Sequence, residues 1–169
     1  MGTPDIPTRQ AFDEVYLVQN PALGAVLLWK FVEGYQAPKP SAQPLLPLLF
    51  IVLPIIFTEQ LRLQLSSTYP SSGLRLFVAK FAKDQEEILA IQKKMLLLRE
   101  TSLSSLSIAI SCGFLTLEHT TARVSANSRR FPSGVADEMK ALVKHAGKLG
   151  AWCSSLSLQE VQAALRIAF

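Results

Sequence analysis

The residues of this 169-residue chain best able to do chemistry near neutral pH are two histidines, His119 and His145, and two cysteines, Cys112 and Cys153. They stand apart. Metal binding needs several His, Cys or carboxylate ligands at short fixed spacings, and no C-x-x-C or H-x-x-x-H pair occurs, so no metal site is expected. Both cysteines sit in apolar helical patterns without a polar, activating neighbourhood, and they read as buried free thiols in a reducing cytoplasm rather than as nucleophiles. His119 reads as a turn residue and His145 as a helix-surface residue. Nucleotide hydrolysis needs a glycine-rich phosphate loop with its lysine, and neither G-x-x-x-x-G-K-[ST] nor G-x-G-x-x-G is present; Gly147-Lys148-Leu149-Gly150 falls within a helical pattern. The acids serve mostly as helix-start residues rather than as a nuclease set. The expectation is a protein without enzymatic activity and without a cofactor.

What remains for recognition is basic. Arg123 lies on a hairpin, Arg129 and Arg130 follow it, and Lys140, Lys144 and Lys148 recur at four-residue steps along the outer face of a later helix. Residues 1–60 hold three Lys/Arg against five Asp/Glu (net −2), and residues 61–169 hold fourteen against eight (net +6), so the basic character lies late in the chain. Such a set suits a phosphate backbone or an acidic protein surface, and a solvated helix face beside a basic loop carries the same charges. Phe131 is the one aromatic residue among these charges, which is thin support for base stacking.

These residues are positioned by a chain that is mainly helical. Asn20 is a helix cap and Pro21 suits the first helical position, where a missing N–H costs nothing. Leu23, Val26, Leu27, Phe31 and Tyr35 then recur at helical steps, and Leu28, Trp29 and Val32 widen the apolar surface to nearly the whole circumference. This predicts a central core helix over residues 20–34, with Asn20, Pro21, Leu27, Trp29 and Phe31, together with the late Trp152, as structural core.

Residues 45–57 are thirteen apolar positions with Pro47 and Pro54 inside them, short of the roughly 20 needed to span a membrane. They predict a short buried helix beginning near Pro47 and bent or ended at Pro54. Thr58 is the expected cap of a helix carrying Leu61 and Leu65 inward and Arg62 outward. Ser71 or Ser72 would cap the next helix, over 74–82, and an Asp84/Glu87 capping box would open another, over 85–99, with Ile88, Ile91, Met95 and Leu98 inward. Leu103, Leu106 and Ile110 continue the inward set up to Gly113. Residues 114–118 and 122–126 alternate apolar and polar around His119-Thr120-Thr121, which is a β-hairpin pattern. A long amphipathic helix over 135–154 follows, and Ser157 with Glu160 forms a capping box for a last helix. The fold class is therefore mainly α (α+β). A flexible arm covers 1–10, a lead-in covers 11–19, and 11–169 form a single helical domain with a hairpin near 114–126, a winged-helix-like order in which the hairpin is the wing.

The Asn-Pro-Ala helix with Trp29 and Tyr35, the Pro-Leu-Leu-Pro-Leu-Leu-Phe-Ile-Val-Leu-Pro run at 44–54 and Lys148-Leu149-Gly150-Ala151-Trp152 resemble the bacterial middle-component proteins of three-component ABC systems. The resemblance spans most of the chain, but its motifs are apolar packing motifs. This chain ends Leu165-Arg166-Ile167-Ala168-Phe169, where the family usually carries a Leu-Gly-Val-Arg-Pro-like tail. The resemblance implies a protein encoded beside an SMC-like ATPase, and often beside an effector, in Lamassu-type anti-phage or anti-plasmid defence. The function expected from it is a cytoplasmic scaffold subunit, away from membranes, which bridges the ATPase and an effector such as a nuclease and helps control its activation on foreign double-stranded DNA. Composition agrees with a partner: 49% hydrophobic residues, 18% charged residues and a mean hydropathy of +0.27 leave apolar surface to be covered. The alternative is a winged-helix-like DNA-binding module using the basic hairpin.

Overall fold

The side chain of Asn20 accepts a hydrogen bond from the Leu23 amide at 3.1 Å, Pro21 occupies the first turn, and α1 (Pro21–Gln36) begins there. The structure, a computed structural model, describes residues 20–169; the expected arm over 1–10 and lead-in over 11–19 lie outside the described residues. Leu27, Leu28, Trp29, Phe31 and Val32 are at most 1% exposed, so α1 is covered on nearly every side. It is the central rod of the molecule.

The apolar run behaves differently from its prolines' usual effect. A 3-10 turn (Leu46–Ile51) passes directly into α2 (Val52–Phe57), and Pro54 stays inside the helix instead of ending it. It can do so because it sits in the first turn, where the N–H it lacks has little intrahelical work. All six residues of α2 are buried. The chain then turns sharply into α3 (Glu59–Ser66), and the two apolar stretches lie at 94° to one another. No single helix among the described residues is long and apolar enough to cross a membrane.

Thr58 does not cap α3. Its hydroxyl donates back to the Pro54 carbonyl at 2.7 Å and receives the Lys94 ammonium at 3.0 Å, which leaves it pinned to the bend. Arg62 also folds back, donating to the Ile56 carbonyl at 2.8 Å rather than pointing outward. After a 3-10 turn (Pro70–Ser72) come α4 (Gly73–Ala79) and α5 (Glu86–Leu97). Ser72 stands at the cap of α4 without a side-chain cap bond. The Asp84/Glu87 box does not form: the cap position is Gln85, one residue late for Asp84, and Glu87 lies 3.6 Å from Lys94 instead.

The next helix, α6 (Arg99–Ser111), corrects the predicted inward stripe. Of Leu103, Leu106 and Ile110, only Leu106 is buried, and Leu103 and Ile110 are 39% and 38% exposed. The inward residues are Ser102, Ser105, Leu106 and Ala109, because α6 lies so close to α1 that a Cβ on Gly24 would land on the Ser105 side chain. The buried Ser105 hydroxyl is satisfied by donating to the Thr101 carbonyl at 2.7 Å.

Gly113 (φ +69°) ends this stretch, and β1 (Leu115–Glu118) pairs antiparallel with β2 (Arg123–Ala126), with Leu115 opposite Ala126 and Leu117 opposite Val124. Leu45 adds a single bridge to Arg123, which ties the hairpin to the chain leaving α1. The ring of Trp29 stacks on Phe114 with centroids 4.9 Å apart and donates from Nε1 to the Asn127 carbonyl at 3.2 Å, locking the hairpin onto the rod.

The long helix α7 (Asp137–Ser154) crosses α1 at very short range. A Cβ on Gly34 would fall on the Gly147 carbonyl, and one on Gly150 would fall on the Phe31 carbonyl. Trp152 packs on Phe77 at 5.9 Å and donates to the Pro70 carbonyl at 2.8 Å, joining α4 to this core. Finally α8 (Leu158–Leu165) starts with the predicted box: Ser157 accepts from the Glu160 amide and Glu160 returns the bond to the Ser157 amide.

Candidate functional site

The structure distributes the six basic candidates unevenly. Arg123 donates to the Gln43 carbonyl at 3.0 Å, and Arg129 donates from Nε to the Gly113 carbonyl at 3.2 Å, so both guanidinium groups fasten neighbouring loops. Arg130 is exposed. On α7 the stripe divides. Lys140 and Lys144 are exposed, the first paired with Asp137 at 2.9 Å, whereas Lys148 turns inward. Its ammonium donates to the carbonyls of Leu65 at 3.0 Å, Thr68 at 2.9 Å and Ser66 at 3.4 Å, where the chain leaves α3 at the negative end of its dipole. Burial, and then the nearby Lys144 and Lys80, hold the Lys148 pKa below the usual lysine range.

Around Lys140 and Lys144 the fold gathers Phe131, already noted beside the basic residues, with Lys30 and Glu33, which the sequence pattern did not single out. A cleft of about 490 Å³ lies between α1 and α7, lined by Lys30, Glu33 and Gly34 on one side and by Lys140, Lys144 and Gly147 on the other, with Phe131 as an end wall. Lys30 has only 16% of its side chain exposed; its ammonium lies 2.6 Å from Glu33, 3.9 Å from the centre of the Trp29 ring and 5.5 Å from that of Phe131. The signal for it was in the sequence: Lys30 and Glu33 are an i, i+3 pair of opposite charge inside an otherwise apolar helix.

The second feature is apolar. Leu46, Pro47 and Phe50 of the first 3-10 turn, Met95 and Leu96 of α5, and Phe169 line a groove of about 320 Å³, with Gln92 and Arg99 at its polar edge. Leu96 is 66% exposed and Phe169 39% exposed, and Leu89 and Leu97 on the same helix α5 are also open. The inward stripe of α5 is Ile88, Ile91, Met95 and Leu98 as predicted, so Leu96 and Leu97 are apolar residues beyond what that core uses. That surplus is what the positive mean hydropathy registers.

The remaining chemical side chains are dispersed. Among the described residues, no group of three or more His, Cys, Asp or Glu lies close enough to hold a metal ion. Cys153 is fully buried and burial pushes its thiol up, but Cys112, expected to be buried, is exposed where α6 ends. His145, expected at the surface, is half-buried with Nδ1 lacking a partner; burial first, then Lys148, Arg62 and Lys144, lower its pKa to about 4.

Among known proteins, no curated protein and no solved structure matches the chain. A family does. The family described as ABC-three component (ABC-3C) system Middle Component 3 matches residues 8–169, which takes in both the cleft and the groove. The chain belongs to the Middle Component 3 family of ABC-three component systems.

Proposed function

We propose that this middle component is a non-enzymatic, cytoplasmic scaffold that docks on the SMC-like ATPase of its system, links it to an effector such as a nuclease, and helps control effector activation on foreign DNA in Lamassu-type defence. Membership of a multi-component system supplies the need for partners. The observation that carries the docking role is the apolar groove, where Leu96 at 66% exposed stands beside Phe50 and Phe169. Fully burying an exposed side chain of this size contributes roughly 1.5–3 kcal/mol, and this is the gain that a partner covering the groove would draw on. The occupant we assign to it is an apolar seam of the ATPase coiled coil or head, since a chain that joins two other components needs a docking face for the ATPase.

The test is affinity purification of a tagged copy expressed with its genomic neighbours, with and without nuclease treatment. Recovery of the ATPase after nuclease treatment supports the scaffold. Failure of the chain to bind or copurify with that ATPase ends the proposal.

A second reading, a winged-helix-like DNA-binding module, draws on the hairpin and its bridge to Leu45. It is weakened by the tethering of Arg123 and Arg129 to backbone carbonyls, which leaves Arg130 as the exposed arginine beside the hairpin without such a tether. Binding of duplex DNA that falls with salt and is lost on Arg130→Glu would favour this reading.

A further inference from the structure

We propose that the cleft between α1 and α7 binds a nucleotide, with the phosphate held by Lys140 and Lys144 and the base set against Phe131. The site differs from the apolar groove and does not depend on the docking proposal.

Charge is the first argument. Three lysines and one carboxylate line the cleft. The carboxylate, Glu33, is already neutralised by Lys30 at 2.6 Å, so the charge offered to a ligand is that of Lys140 and Lys144. Lys144 has no hydrogen bond or ion pair with any described residue, and Lys140 is held only by Asp137, in a pair whose side chains are 57% and 93% exposed. Such an open, solvent-screened pair is weak and exchanges readily for a phosphate. The half-buried His145, one residue from Lys144, has its pKa lowered first by burial and then by Lys148, Arg62 and Lys144, in keeping with the positive charge on this side of the helix.

Shape is the second. Gly34 and Gly147 line the cleft without side chains, where the two helix backbones touch. Its volume of about 490 Å³ falls within the range of small-molecule sites. Phe131 adds a half-buried ring to the lining, on which a base can stack. An anion site beside a flat apolar wall fits a phosphate joined to a heteroaromatic base better than it fits a simple anion.

The ligand has two sources. One is a free nucleotide; the other is a nucleotide within an unpaired strand. A second hollow of about 410 Å³, lined by Gln36, Pro40, Asn127 and Ser128, shares Glu33 and Ala37 with the cleft, so the trough continues far enough to take a neighbouring nucleotide.

The experiment is isothermal titration of the full chain with ADP, inorganic pyrophosphate and a single-stranded oligothymidylate of about 12 nucleotides, at about 50 and 200 mM salt. Lys140→Glu with Lys144→Glu should weaken binding at least about tenfold, since both charges reverse on an exposed face. Phe131→Ala should weaken ADP or the oligonucleotide about fivefold or more and leave pyrophosphate unchanged. Arg123→Glu, away from the cleft, should have little effect, and circular dichroism melts of every variant separate lost binding from lost folding. ADP binding as well as the oligonucleotide identifies a free nucleotide as the ligand; strong, salt-dependent binding of the oligonucleotide with ADP no better than pyrophosphate identifies a strand. The proposal is overturned if neither ADP nor the oligonucleotide binds at low salt, if binding ignores the double lysine reversal, or if Phe131→Ala changes nothing.

Discussion

Three glycines at the crossing of α1 and α7 should respond to the same substitution with opposite signs. A Cβ on Gly150 would fall on the Phe31 carbonyl oxygen, with the Tyr35 amide nitrogen at 2.8 Å, and both neighbours are backbone, which cannot swing aside. The helices would have to part. Overpacking of this kind costs about 3 kcal/mol, and the better helix propensity of alanine returns about 1 kcal/mol, leaving Gly150→Ala destabilised by about 2 kcal/mol. For a chain of this size that lowers Tm by about 4–8 °C. Gly34→Ala should behave alike, since its Cβ would strike the Gly147 carbonyl. Gly147→Ala should do the reverse: its Cβ meets only the Lys30 carbonyl at an ordinary 3.6 Å, so the propensity gain of roughly 0.5–1 kcal/mol remains and Tm rises by about 1–4 °C. Thermal melts followed by far-ultraviolet circular dichroism read all three. If Gly147→Ala is as damaging as Gly150→Ala, or if Gly150→Ala leaves Tm unchanged, the close-packed crossing is wrong.

Other outcomes follow from single residues. Lys148→Met keeps the apolar stem but removes the ammonium from the Leu65, Ser66 and Thr68 carbonyls, and should cost about 1–3 kcal/mol in a denaturant titration, whereas Lys140→Met should stay within about 0.5 kcal/mol of wild type. His145 titrates near 4 in the folded chain and near 6.5 when unfolded, so the unfolded state binds the extra proton between those values. Stability present above pH 6.5 should therefore be lost as pH falls towards 4; His145→Gln should flatten that fall in Tm, and parallel curves for the two proteins would refute the assignment. Thiol labelling of the native protein should modify Cys112 and spare Cys153 until denaturant is added.

Local chemistry made much of the fold legible. Asn20-Pro21 and the Ser157/Glu160 box announce helix starts because their hydrogen bonds close within four residues, and both form as the sequence predicts. The hairpin likewise follows from its alternation. Failures occur where a distant neighbour outbids the local partner. Lys94 reaches Thr58 from 36 residues on and Lys148 reaches the end of α3 from 83 residues on, so neither Thr58 nor Lys148 keeps the role that its own helix suggests. On α6 the apolar stripe loses to closeness: Gly24 brings α1 near enough that serines and an alanine must face inward, which sends Leu103 and Ile110 out. The candidate sites were legible only in part. Lys140 and Lys144 were named from their spacing, with Phe131 close by in the chain, but Lys30 and Glu33 join them across more than a hundred residues, and periodicity carries no information at that range.

If the apolar groove meets the ATPase of the system, amide hydrogen exchange of the chain alone and in the copurified complex will register the contact. Exchange should slow at residues 46–50, 92–99 and 167–169, with residues 128–144 unchanged by the ATPase. Protection confined to the hairpin or to the α1–α7 cleft, with the groove exchanging as fast as in the free chain, would contradict it.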